Sequence, residues 1–212
     1  MSEIIGHYTK LETALEKILF DKKLRLSPFE KVNDPKESKP WNVLIGFQSI
    51  QGIEKELFRK IEEVMKREWK VLCFTSYSND AMPLNDVIMP ESDADKKGLK
   101  GIVDAHFGPC YSRPTLWAHY ADNHRGICLL FDRDKLDENI QRELKREETS
   151  IFSGKVNYDI LPATVITECE INNDSSIDRR AREFVINYCK WFLRKTPDWR
   201  SETEYRWFVH NP

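Results

Sequence analysis

The chain reads as an α+β protein, on three observations. Apolar runs of strand length alternate irregularly with amphipathic segments at helical period, a pattern unlike a doubly wound parallel sheet. Ile127 to Phe131 is continuously apolar, as in a strand covered on both faces. Near the C-terminus, charged and aromatic residues alternate at period two. With no internal repeat, low-complexity segment or linker, the 212 residues are expected to form one domain over 1–212. It carries an irregular insertion at about 77–112.

Taken in order, Ile4 to Tyr8 reads as a strand. Thr9-Lys10-Leu11-Glu12 has the T-x-x-E form of a capping box, opening a helix with Leu11, Leu15, Ile18 and Leu19 as its apolar stripe. Leu24-Arg25-Leu26 alternates like a strand, and Asn33-Asp34-Pro35 signals a turn. A second helix covers Gly52 to Glu68, burying Ile53, Leu57, Ile61, Val64 and Met65. Val71 to Ser76 reads as a buried strand that turns polar at its end. Pro114 to Ala121 forms a short helix before the strand at Ile127, and Leu136, Ile140 and Leu144 mark another helix. Val156-Asn157-Tyr158 and Ala163 to Thr167 are weaker strand candidates. Asp178 caps a long helix to about Lys195, with Ala181, Phe184, Val185, Tyr188 and Phe192 inward. Thr203 to Val209 closes the chain as a strand.

Composition narrows the function classes. Charges are abundant but nearly cancel, at a net −2, which argues against a general nucleic-acid binder or membrane-surface protein. The N-terminus lacks a basic and apolar leader, and no apolar run approaches bilayer-spanning length. Cys73, Cys110, Cys128, Cys169 and Cys189 show no C-x-x-C spacing, so a disulfide-free cytoplasmic protein is expected. None has an evident activating partner, which disfavours a catalytic cysteine.

The segment Leu116 to Asp132 concentrates chemically able side chains: Trp117, His119, Tyr120, Asp122, Asn123, His124 and Arg125. Trp117 and Tyr120 share a helical face, where they stack on a planar ligand or serve as core aromatics, the latter reading being favoured for Trp117. His119 and His124 have no carboxylate or cysteine companions at ligand spacing, so no metal is expected. Gly126 marks a positive φ or a close backbone approach. His7 and Tyr8 end the first strand at a strand-to-helix junction, either as ligand contacts or as packing anchors. On the last strand Glu202, Glu204 and Arg206 should share one face, with Thr203, Tyr205, Trp207 and Val209 buried on the other. Such a row is a solvated salt-bridge ladder or part of a site. Phosphate-cradling Gly-rich loops, G-x-S-x-G and H-E-x-x-H are absent.

In order, His7-Tyr8-Thr9, Leu24-Arg25-Leu26-Ser27 with Asn33-Asp34-Pro35, Val71 to Ser76, Leu116 to Tyr120 with Gly126 to Asp132, and Trp199 with Glu202-x-Glu204-Tyr205-Arg206 resemble a bacterial family known as domain of unknown function 2971. A first-strand His, a mid-chain Tyr and a last-strand Glu also resemble, more distantly, the His-Tyr-Glu type of ADP-ribosyltransferase. That resemblance implies a split, bent mixed sheet flanked by helices and binding NAD, with no metal. It would make His7 a ribose contact, Tyr120 the nicotinamide stacking face and Glu204 the carboxylate on the ribose 2′-hydroxyl. Tyr8, Thr9, Ser27, Asn33, Ser76, Trp117, Glu202 and Arg206 would surround the cofactor. Tyr8, Tyr77 and Tyr111 compete with Tyr120 for the nicotinamide, and Glu202-x-Glu204 resembles the E-x-E of arginine-directed transferases. The implied activity is ADP-ribosyl transfer or NAD glycohydrolysis, in a defence or toxin-type role, with the acceptor open and a homo-oligomer compatible. The competing reading is a non-catalytic nucleotide- or protein-binding module on the same fold.

Overall fold

The structure is a computed structural model that describes residues 3–32, 53–76, 110–158, 176–187 and 189–210. The turn at Asn33 to Pro35, the weak strand at Ala163 to Thr167, Tyr77, Cys169, Tyr188 and all but the last residues of the 77–112 insertion lie outside these. The fold is α+β, an open sheet with antiparallel ladders flanked by helices. Among the described residues no helix is long and apolar enough to cross a membrane.

Backbone contacts divide the chain into two compact units. The first comprises Met1–Leu24, Cys73–Glu143 and Pro197–Tyr205. Strand β1 (Ile4–Thr9) pairs antiparallel with β4 (Ile127–Asp132) through six residue pairs, from Ile4↔Asp132 to Thr9↔Ile127. Its register with β3 (Trp69–Ser76), whose last four residues belong to this unit, has two pairs, Ile5↔Ser76 and Gly6↔Thr75. The start of β6 (Glu204–His210) completes the order β4-β1-β3-β6. Among the described residues β4 is therefore a terminal strand, and Leu130 on it is exposed. The apolar run at 127–131 is not, as the sequence suggested, covered on both faces: its residues are half-buried, and Leu130 is exposed.

The first helix departs from its expected form. Thr9 is the last residue of β1, the N-cap is Lys10, and no side chain caps the helix, so no capping box forms. Helix α1 (Leu11–Thr13) continues as a π-helix over Ala14–Phe20, burying Ala14 and Ile18 while Leu11, Leu15 and Leu19 stay exposed. The i, i+4 recurrence was real, but the narrower Ala14/Ile18 stripe faces inward.

Helix α3 (Pro114–Tyr120) has Pro at its start, where the missing N–H costs nothing. It ends in three successive residues of positive φ: Asp122 (48°), Asn123 (52°) and His124 (66°). Asn and Asp tolerate this region better than most residues. The reversal is closed by Gly126 N–H donating to the Ala121 carbonyl at 2.7 Å and His124 N–H to the Trp117 carbonyl at 3.0 Å. A Cβ on Gly126 would lie 2.8 Å from the Ala121 backbone and also strike the Thr9 carbonyl. Close approach, not positive φ, demands glycine. After β4, α4 (Arg133–Leu144) buries Leu136 and Ile140 as its periodicity predicts.

The second unit comprises Arg25–Leu72, Leu144–Thr196 and Arg206–Pro212. Leu24 to Leu26 is not a strand; the short β2 (Ser27–Pro28) follows and pairs antiparallel with β3. Helix α2 (Ile53–Glu63) extends as a π-helix over Val64–Glu68, with Leu57, Ile61, Val64 and Met65 buried. It packs with α5 (Ile177–Asn187), where Lys60 meets Asp178 at 2.8 Å. The expected long helix ends at Asn187, and the cap at its start is Ser176, whose hydroxyl accepts the Arg179 N–H at 3.4 Å. Strand β5 (Ser150–Lys155), not foreseen, precedes Val156 to Tyr158, which form no strand beyond one bridge from Asn157 to Arg194. Gly154 on β5 admits the Leu193 methyl, which a Cβ would meet at 2.6 Å. Phe29, Trp69, Trp207 and Phe208 fill this unit's core.

Gly126→Ala should cost roughly 1–3 kcal/mol, the usual penalty for overpacking. It should appear as a lower urea midpoint with an unchanged m-value; an unaltered midpoint would contradict the tight closure at Ala121.

Candidate functional site

The candidate site lies within the first unit, where the chain enters its last strand. A 3₁₀ turn (Pro197–Glu202) leads into β6, and Thr203 joins them at φ 44°. A β-branched residue rarely takes this conformation, and holding it costs on the order of 1–3 kcal/mol. The end of β3 provides the restraint. Thr75 Oγ1 donates to the Glu202 carbonyl at 2.7 Å and lies 3.0 Å from Thr203 Oγ1. Ser76 donates twice to the Thr203 carbonyl, from its amide at 2.8 Å and its hydroxyl at 2.9 Å. Thr203 Oγ1 donates back to the Ser76 carbonyl at 3.0 Å.

This joint changes the expected row of charges. Glu202 belongs to the 3₁₀ turn and Glu204 begins the strand, so no uninterrupted period-two face runs through both. Both carboxylates are buried, Glu202 at 5% and Glu204 at 7% relative exposure, which excludes a solvated salt-bridge ladder. The aromatic side is covered as expected at Trp207 and Val209, with Tyr205 half-buried, and the charged side is buried as well at Glu204 and Arg206.

Tyr120, the last residue of α3, donates its hydroxyl to Glu202 Oε1 at 2.7 Å. A hydrogen bond to a charged acceptor contributes about 1.5–3 kcal/mol. Its position is set from β1. The Tyr8 ring meets Trp117 edge-on at 5.2 Å and forms a buried cluster with Leu116 and Ala121, against which Tyr120 packs. The Tyr8 hydroxyl donates to the Cys110 carbonyl at 2.8 Å and accepts from the Arg113 amide at 3.3 Å. Burial raises the Tyr8 pKa well above its ordinary value. Trp117 donates its indole N–H to the Tyr111 carbonyl at 2.8 Å. Tyr8 and Trp117 thus anchor the helix.

His7 projects from the opposite face of β1, because neighbouring strand residues alternate. Its ring lies 5.2 Å from Phe74, and Nδ1 is 3.1 Å from the Cys73 carbonyl. A carbonyl can only accept, so Nδ1 carries the proton and the imidazole is the Nδ1–H tautomer. Burial lowers the His7 pKa below its ordinary 6.5, outweighing the hydrogen bond to Cys73, which raises it.

Of the residues named from sequence, Tyr120, Glu202 and Ser76 meet around Thr203, with Glu204 next in the chain and Thr9 at the end of β1 paired with Ile127. Ser27 and Arg206 belong to the second unit. There Ser27 pairs with Val71, and Arg206 donates to the Phe192 carbonyl at 3.2 Å with its guanidinium 6.0 Å from the Phe29 ring centre. Asn33 lies outside the described residues. Neither Thr75 nor Thr203 is a site candidate by sequence: Thr203 reads only as a buried strand residue. The polar end of the β3 run hinted at Thr75, whereas the positive φ of Thr203 has no sequence signal in a β-branched residue. Among the described residues, no three His, Cys, Asp or Glu side chains are grouped to hold a metal ion.

Tyr120, Glu202 and Glu204 all fall within one recognised stretch of sequence. Residues 116–207 match the model of a family described as protein of unknown function (DUF2971). The matched segment runs from Leu116 on α3 to Trp207 on β6, so it takes in both ends of the Tyr120–Glu202 contact. His7, Tyr8 and the Thr75–Ser76 pair lie outside it. No curated protein and no solved structure matches the chain.

The depressed His7 pKa has a defined consequence for stability. Above 6.5 the ring is neutral folded and unfolded and contributes no pH dependence. Below it the unfolded chain takes a proton that the half-buried ring refuses, so stability falls by up to about 1.4 kcal/mol per pH unit until the folded pKa is reached. Urea titrations between neutral pH and about pH 5 should show this slope in the parent protein. His7→Gln should remove one proton's share of it, and an unchanged slope would contradict a folded His7 that resists protonation.

Proposed function

We propose that the protein is an NAD-consuming enzyme of ADP-ribosyltransferase type, acting by ADP-ribosyl transfer or NAD glycohydrolysis. The observation that carries this reading is the Tyr120 hydroxyl on Glu202, two residues before a second buried carboxylate at the head of the last strand. The short β1–β3 register, with the His7 ring bonded to a β3 carbonyl just beyond it, supports a sheet that splits between these strands. Two carboxylates and an aromatic phenol also suit the ligand, since carboxylates accept ribose hydroxyls and a ring face accepts a planar base.

NAD would be the substrate. The bond from ribose C1′ to the nicotinamide nitrogen breaks, and its electron pair leaves with the base. A water or acceptor nucleophile then supplies the new pair to C1′ and loses its proton. Glu204 takes the ribose 2′-hydroxyl and opposes the positive charge that develops on the sugar, a preorganised electrostatic effect. Glu202, held by Tyr120, receives the nucleophile's proton. The clasp on Thr203 keeps the two carboxylates from relaxing into a regular strand. His7 acts on the far face of β1 by holding the β3 backbone.

One feature favours a second reading. The Tyr120 hydroxyl and Glu202 satisfy each other, as in a cleft kept for binding without turnover. Calorimetric titration with NAD and a nicotinamide-release assay separate the two. The enzyme reading expects saturable binding and release, with Glu204→Gln retaining binding but losing at least about 100-fold in turnover. Full turnover in that variant removes the assigned chemistry, and binding without release assigns the non-catalytic module.

A further inference from the structure

Gly6 sits in the middle of β1, and nothing about its φ calls for glycine. Space does. A Cβ there would meet Cys128 Sγ at 2.9 Å, Thr75 Cγ2 at 3.2 Å and Cys110 Sγ at 3.3 Å. Two thiols far apart in sequence therefore converge on one point over the β1 backbone. Both are free, Cys110 buried and Cys128 half-buried. Each is held in place from β1: Cys128 pairs with Tyr8 in the ladder, and the Cys110 carbonyl accepts the Tyr8 hydroxyl at 2.8 Å.

We propose that Cys110 and Cys128 are a reversible disulfide site, closed by a peroxide and opened by thiol reductants, that locks helix α3. Disulfides need side chains directed at one another, and both sulfurs here already point at the space above Gly6. The steps balance. The Cys128 thiol, the more accessible of the two, attacks one peroxide oxygen and becomes a sulfenic acid, and water leaves. The Cys110 thiol then attacks that sulfur, forming the S–S bond and releasing the sulfenic oxygen as a second water. Burial raises the pKa of both thiols, Cys128 to about 12, so little thiolate is present and the reaction with peroxide is slow. The loop so closed contains all of α3, including Tyr120. Closure restrains the helix that carries Tyr120, and it occurs whether or not the carboxylates turn over NAD.

The test uses the full chain. Reduced protein is treated with hydrogen peroxide, its remaining thiols are alkylated, and its peptides are mapped by mass spectrometry. The expected product is a Cys110–Cys128 linked peptide, two hydrogens lighter than its parts and dominant over pairings with Cys73, Cys169 or Cys189. The oxidised protein should melt at a higher temperature than the reduced form, and Cys128→Ser and Cys110→Ser should each abolish that shift. Dithiothreitol should reverse it. Quantitative recovery of both thiols after peroxide overturns the proposal. So does a set of crosslinks no different from that of the denatured chain. If Cys110→Ser does not fold, the parent map and Cys128→Ser decide the outcome.

Discussion

The backbone of Thr203 is the constraint on which the first unit's chemistry depends. A β-branched residue at positive φ would revert to extended geometry if released, and β6 would then begin earlier. The Thr75–Ser76 end of β3 prevents this with a set of short hydrogen bonds to Thr203 and the two peptide groups that flank it. The strain is local and so is its consequence: Glu202 is turned out of the strand to face Tyr120, while Glu204 stays in register with β6.

A second chain of dependence runs from β1 to the same carboxylate. Tyr8 cannot bury its ring without satisfying its hydroxyl, and it does so on backbone groups of Cys110 and Arg113, the residues leading into α3. That places Trp117 and Leu116 against the strand and Tyr120 at the helix end. The reversal at Asp122 to His124 then returns the chain to β4, which pairs with β1 along its whole length. Tyr120 is therefore positioned by covalent and packing constraints on both sides before it meets Glu202.

Much of this framework was legible in the sequence where one periodicity had one solution. The buried faces of α2 and α4, the polar-ended β3 and the short α3 all follow from their apolar spacing. The failures share a cause. Leu11, Leu15 and Leu19 form as good a stripe as Ala14 and Ile18, and spacing cannot say which meets the core. β5 has a weakly apolar sequence and is recruited by tertiary context. Tyr120 and Glu204 were visible as candidates by residue type and chain order. The partnership of Tyr120 with Glu202 depends on one dihedral angle at Thr203, which no pattern of residue types encodes.

The central claim is that Tyr120 and Glu202 form one energetically coupled unit across the joint. A double-mutant cycle on folding stability, using Tyr120→Phe, Glu202→Ala and the double variant, tests it most directly. The account predicts a coupling of about 1–3 kcal/mol, with the second substitution costing much less once the first is made. Strictly additive effects would contradict it, because the phenol and the carboxylate would then act independently.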